Sequence, residues 1–178
     1  MSALVRYFLA RGCKVGGYDR TSTDLTSALI KEGAMIGFED DVDRIDECFR
    51  DSRSTLVVYT PAIPADNKIM RWFNMHCFDV QKRAQVLGTL TRSLDGLCVA
   101  GTHGKTTTSS MVAHILDGTE EGCNAFLGGI LKNIGSNLMI SNKSRRVVIE
   151  ADEFDRSFHH LTPLRTVITA VDADHLDL

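Results

Sequence analysis

VAGTHGKTTTSSMV, residues 99–112, places a lysine between a glycine and three threonines immediately after the short apolar run GLCVA, residues 96–100. Five apolar or small residues in a row suit a strand buried on both faces of a parallel sheet. The residues that follow, KTTTSSMVAHIL, read as a helix with Met111, Val112, Ile115 and Leu116 on one side. GTHG between them is therefore a strand-to-helix turn. At such a turn backbone N–H groups point outward and the helix dipole favours an anion. Gly101 and Gly104 allow close approach because they carry no Cβ. Lys105 supplies positive charge for β- and γ-phosphates, and the Thr106 hydroxyl is placed to ligate Mg²⁺. The pattern G-x-x-x-x-G-K-[ST] requires glycine at position 99, where valine stands, so the spacing rule fails while the mechanics survive.

Outward from this turn the chain alternates. SALVRYFLARG is a predicted helix ending at Gly12, followed by a short strand CKVGGYD and a second helix DLTSALIKEG. A weak strand AMIGF, an amphipathic stretch DVDRIDECF and a clear strand TLVVYT come next. ADNKIMRWFNMH and RAQVLGTLTRS are predicted helices. Strands separated by helices of about ten residues predict α/β layering with mainly parallel sheets.

Two further strands end in chemistry. RRVVIEADEFD is predicted as a strand over 146–151, closing on Glu150, Asp152, Glu153 and Asp155. RTVITAVDADH is another, closing on Asp172, Asp174 and His175. Ligands of open parallel sheets bind outside the carboxyl ends of the strands. A phosphate-bound Mg²⁺ is a hard cation, so Thr106 and a strand-end carboxylate suit it, and a nearby imidazole suits a second divalent ion.

The bulk properties narrow the field. The 178 residues, 43% of them hydrophobic, can bury one substantial core or two small ones. A net charge of −3 gives no global attraction to nucleic acid, so none is expected as a partner. The five cysteines are scattered without close pairs, which reads as reduced thiols in the cytoplasm. No apolar stretch approaches a membrane span, and no membrane partner is expected. The chain opens on a helix, whereas a nucleotide-binding α/β unit normally begins with a strand and glycine-rich turn. Both ends therefore read as lying inside a longer protein.

GTHGKTTTSSMVAHIL, FLGGILKNIGSN, VIEADEFDRSFHHLTP and VITAVDADHLDL resemble the Mur ligases of peptidoglycan synthesis, as do VVYTPAIPADN and KRAQVLGTLTR upstream. His103 and EADEFD resemble the branch that joins L-alanine to UDP-N-acetylmuramate. The recycling branch, which attaches intact murein peptides, is similar in the cradle and acidic strand, but its final strand resembles NNLEFDH, unlike TAVDADHLD. The resemblance implies a Rossmann-like UDP-sugar domain over 1–93 and an ATP-binding central domain over 94–178. It implies ATP-dependent amide formation in which the muramate carboxylate takes the γ-phosphoryl and the L-alanine amine displaces phosphate. Residues 1–178 alone, without the family's third domain or its opening glycine-rich turn, are not expected to complete that reaction.

By the same resemblance Lys105, Glu150 and His175 are catalytic. Gly101, Thr102, His103, Gly104, Lys105, Thr106 and Thr107 hold ATP, while Thr106 and Glu150 hold one Mg²⁺ and His175 with Glu150 a second. His103, Gly128, Gly129, Asn133 and Asn137 line the substrate cleft, and Asp19, Ala62 and Ile63 lie near UDP. Two other classes remain open. A generic P-loop NTPase would use the same cradle without a UDP-sugar, against which the Rossmann-like front half counts. A non-enzymatic sugar-nucleotide module would tolerate loss of Lys105 or Glu150, yet both are present.

Overall fold

The computed structural model describes residues 1–151 and 158–172. Its contacts divide the chain into two units, Met1–Arg83 and Ala84–Leu178. The helix Arg83–Ser93 packs within the second of these units. There the Thr91 hydroxyl accepts from the Thr162 amide at 3.0 Å, and Gly88 lies so close to the His160 carbonyl that a Cβ would overlap it.

In the first unit α1 (Ser2–Ala10), β1 (Gly16–Tyr18), α2 (Asp24–Lys31) and β2 (Met35–Gly37) alternate as predicted. β3 (Leu56–Tyr59), α3 (Lys68–Met75) and β4 (Asp79–Lys82) follow. β1 pairs with β2 and β3 with β4, both parallel, in two separate ladders. Helix ends sit where the sequence supplies caps. Gly12 takes a left-handed φ of 79° and its amide bonds to Leu9 O at 2.9 Å, closing α1. Thr23 and Thr26 form a reciprocal capping box at the start of α2. Two carboxylate oxygens of Asp40 accept from the first amides of α3, and Asn67 Oδ1 accepts from Met70 N at 2.8 Å. The stretch around residues 41–49 forms two 3₁₀ turns, Val42–Arg44 and Glu47–Phe49, each begun by an aspartate that accepts an amide two residues on. β4 carries no apolar alternation, and its polar sequence DVQK hides it from periodicity.

The second unit comprises α4 (Arg83–Ser93), β5 (Asp95–Ala100), α5 (Lys105–Asp117), β6 (Asn124–Leu131), β7 (Ser136–Met139), β8 (Arg146–Glu150) and β9 (Arg165–Ile168). Sheet order is β7-β6-β8-β5-β9. β6, β8, β5 and β9 are mutually parallel, so their carboxyl ends share one edge, while β7 returns antiparallel from β6. The GLCVA and RVVI runs are the sheet's centre: Val99, Val147, Val148 and Ile149 are buried, as continuous apolar strands covered on both faces should be.

One expectation about α5 is corrected. Met111 and Ile115 are 60% and 69% exposed, and the helix instead buries Ser109 and Ala113 completely, with Val112 and Leu116 packed beside them. Small residues occupy the contact because they let the helix axis approach the sheet closely. The Asn124 amide, fully buried, donates to the carbonyls of Ser144 and Arg146 at 3.2 Å and accepts from Ser141 N. That satisfied polar group ties β6 to the segment entering β8.

Burial pushes the thiols of Cys98 and Cys123 up to about 11. At pH 8 each is thiolate at a level on the order of one part in a thousand, whereas Cys13 and Cys77 are exposed. Iodoacetamide at pH 8 should therefore alkylate Cys13 and Cys77 in the native protein and reach Cys98 and Cys123 only after denaturation. Peptide mass spectrometry reads the sites, and native-state labelling of Cys98 would contradict this core.

Candidate active site

The turn between β5 and α5 is shaped by two glycines in left-handed conformations, Gly101 at φ 126° and Gly104 at φ 80°. Gly101 has a second reason to be glycine: a Cβ there would lie 2.8 Å from the Ala170 carbonyl oxygen and overlap the Thr169 hydroxyl. Gly104 caps α5 without a side chain, and no side-chain hydrogen bond caps the helix. The first-turn amides, which have no intrahelical partner, are thus presented to an anion. Lys105 Nζ folds over the turn and donates to Gly101 O at 2.7 Å and Thr102 O at 3.4 Å. An incoming phosphate would give that ammonium a stronger acceptor.

Parallel register brings the next strand end beside it. Glu150, last residue of β8, pairs with Val99 of β5. Its Oε1 accepts from the Thr106 hydroxyl at 2.9 Å and its Oε2 from the Gly128 amide at 2.8 Å. A Cβ on Gly128 would overlap the carboxylate as it is placed here, so the close approach is made to a bare glycine. Gly129 stands against Thr106, whose Cγ2 would lie 3.2 Å from an added Cβ. A carboxylate and a hydroxyl held together beside a phosphate turn are the oxygen donors a hard divalent cation takes.

The expected residues divide by place. Gly101, Gly104, Lys105, Thr106, Gly128, Gly129 and Glu150 converge on one edge of the sheet. Asn133, in the turn after β6, lines an open cavity of about 590 Å³ with Leu131, facing Thr106, Thr107, Ser110, Met111 and His114 of α5. Asn137 lies on β7, half-buried. His103 is exposed, and its carbonyl accepts from the Thr169 hydroxyl. The Thr102 amide donates to Ala170 O at 3.0 Å, and its hydroxyl accepts from Asp172 N at 2.9 Å. It anchors the turn from behind.

In the first unit, Asp19 follows β1 and accepts from Thr21 N at 3.1 Å, a local turn. Ala62 is exposed, and Ile63 closes a turn onto Thr60 O at 3.2 Å. His175, with Asp152, Glu153, Asp155 and Asp174, lies outside the described residues. Among the described residues no three His, Cys, Asp or Glu side chains gather as a metal cluster, and no helix is long and apolar enough to cross a membrane. Sequence reasoning gave no part to Thr169, Ser110 or His114, although all three lie within the family-like stretches. They are found only when β9 and the β6–β7 hairpin are folded against the turn.

Comparison with known proteins matches the model of the Mur ligase family catalytic domain over residues 1–94 and that of the Mur ligase middle domain over residues 99–178. The chain belongs to the Mur ligase family. It is 61% identical over its whole length to the UDP-N-acetylmuramate–L-alanine ligase of Phocaeicola vulgatus and 62% identical to that of Parabacteroides distasonis. It spans 39% and 38% of the lengths of these relatives. The solved UDP-N-acetylmuramate–alanine ligase of Thermotoga maritima superposes with a TM-score of 0.85 at 32% identity, over 99% of this chain and 40% of that one. A Neisseria UDP-N-acetylmuramate:L-alanyl-γ-D-glutamyl-meso-diaminopimelate ligase gives 0.84 at 25% identity, over 98% of this chain and 58% of that one. The Mur ligase relationship accounts for the α/β architecture with Rossmann-like and central domains.

The tight fit at Gly128 gives a direct check. Gly128→Ala should displace the Glu150 carboxylate and lower Mg²⁺-dependent nucleotide affinity by about tenfold or more, the worth of a hydrogen bond to a charged group. Gly129→Ala, which meets only a methyl group, should stay within about threefold. Titration with a fluorescent ADP analogue at fixed Mg²⁺ separates the two, and equal affinities would show that Glu150 needs no such support.

Proposed function

We propose that this chain forms the UDP-sugar-binding and ATP-handling parts of a UDP-N-acetylmuramate–L-alanine ligase acting in peptidoglycan synthesis. We assign 1–93 to the UDP-sugar and 94–178 to ATP. The observation that carries the reading is the meeting of Lys105, Thr106 and Glu150 on one strand-end edge. Identity above 60% to two ligases of that name supports the substrate pair. Five free cysteines support a reducing, cytoplasmic setting.

The residues present fit ATP and Mg²⁺. Gly101 and Gly104 give the turn its left-handed backbone, α5 opens with no side-chain cap over its first amides, and a carboxylate with a hydroxyl supplies hard oxygen donors. Thr106 and Glu150 would hold Mg²⁺, and His175 with Glu150 a second ion. Bound there, the metal supplies neutralisation of phosphate charge. Lys105 leaves its carbonyl partners to neutralise the β- and γ-oxygens, and the amides of α5 cradle the same anion. Gly128, Gly129, Asn133, Asn137 and His103 line the cleft that orients the muramate carboxylate for in-line attack. Its oxygen bonds to the γ-phosphorus as ADP leaves. The L-alanine amine then attacks the acyl carbon, and phosphate departs with that oxygen. Asp19, Ala62 and Ile63 belong to the UDP end.

The murein-peptide recycling reading has the Neisseria likeness in its favour, but at 25% identity against 61% for the alanine ligase. A generic NTPase predicts phosphate release without UDP-N-acetylmuramate. In the full-length protein, Lys105→Ala should lower ligation by about a hundredfold or more while circular dichroism stays unchanged. Activity within about threefold, under ~1 kcal/mol of barrier, would sink the assignment. Glu150→Gln should sharply raise the Mg²⁺ needed for half-maximal turnover, and an unchanged Mg²⁺ dependence would place the metal elsewhere.

A further inference from the structure

A phosphate turn whose amides face an anion must point its carbonyls the other way, and those carbonyls need donors. Lys105 serves two of them, Gly101 O and Thr102 O. Those bonds are lost when the ammonium moves to phosphate. The third carbonyl, His103 O, accepts from the Thr169 hydroxyl, which also lies 3.2 Å from Ala100 O. Thr169 is the first residue beyond β9, fixed there by its own amide on Ala100 O at 3.0 Å. Its donor therefore stays in place whether or not Lys105 is engaged.

The same segment grips the turn twice more. Ala170 O takes the Thr102 amide, and Asp172 N donates to the Thr102 hydroxyl. Gly101 approaches so closely that any side chain there would overlap Thr169. The segment leaving β9 and the phosphate turn are one hydrogen-bonded body.

We propose that Thr169 is a positioning residue for nucleotide: its hydroxyl, bonded to His103 O, holds the phosphate turn in its anion-accepting shape after Lys105 has left for phosphate. It touches no reacting atom and acts through the turn. The inference rests on the ATP-dependent reading above and goes beyond it by naming a group outside the motif that sets nucleotide affinity.

The test uses the full-length protein and three variants, Thr169→Val, Thr169→Ala and Thr169→Ser. Equilibrium titration with a fluorescent MgADP analogue should show affinity falling about tenfold in the valine and alanine variants and returning to within about twofold in the serine variant. In ligation assays the KM for MgATP should rise by a similar factor, while the KM for L-alanine stays within about twofold. A merely structural role would lower the melting temperature and disturb both KM values together, and that outcome overturns the proposal. So does binding by the unaltered protein that Thr169→Ala leaves intact, or a serine variant as weak as alanine. Should the branched valine disrupt folding, alanine against serine decides the matter alone. Failure of the unaltered protein to bind the analogue overturns the functional reading itself, and this inference with it.

Discussion

The Glu150 carboxylate, held between the Thr106 hydroxyl and the Gly128 amide, is the contact on which the rest of the site depends. It joins three places far apart in sequence: the first turn of α5, the end of β8 and the middle of β6. Each partner is constrained by it. Gly128 carries no Cβ to displace the carboxylate, Thr106 stands in the first turn of α5, and the β5–β8 register sets Glu150 opposite Val99. A one-residue slip in that register would turn the carboxylate to the other face of the sheet. The buried valines and isoleucine of β8 place that strand end in the centre of the sheet, between β6 and β5.

Much of this edge was legible before folding. GLCVA followed by GTHGKT announces a buried strand, a turn needing glycine and a helix start that attracts anions, and each is a local consequence of residue type. Glu150 was legible as a strand-end carboxylate. Its partner Gly128 was legible only through family resemblance, since nothing local says that an amide in a glycine pair will meet a carboxylate twenty-two residues away. Thr169 was invisible for the same reason: an exposed-looking threonine gains meaning from a parallel neighbour sixty-six residues upstream. The face of α5 was misread because hydrophobicity ranks methionine and isoleucine above serine and alanine. Close helix-to-sheet packing prefers the small pair.

The front unit was legible in its element order but less so in its ladders. The polar β4 pairs with β3 along its whole length without any apolar signature of its own. Gly12 marks the end of α1 in the sequence, whereas the Thr23–Thr26 box and the Asn67 cap emerge only in the structure. Asp19 and Ile63 occupy turns that their own backbone contacts explain, so a role toward UDP rests on the family and not on local geometry.

In the proposed reaction this edge directs a phosphoryl group onto a carboxylate before an amide forms. Isotope tracing tests it most directly. UDP-N-acetylmuramate carrying ¹⁸O in its lactyl carboxylate is incubated with the full-length protein, ATP, Mg²⁺ and L-alanine, and the released phosphate is analysed by mass spectrometry. Transfer of one carboxylate ¹⁸O into phosphate for each amide formed is the predicted result. Phosphate free of ¹⁸O, with ligation proceeding normally, would contradict it.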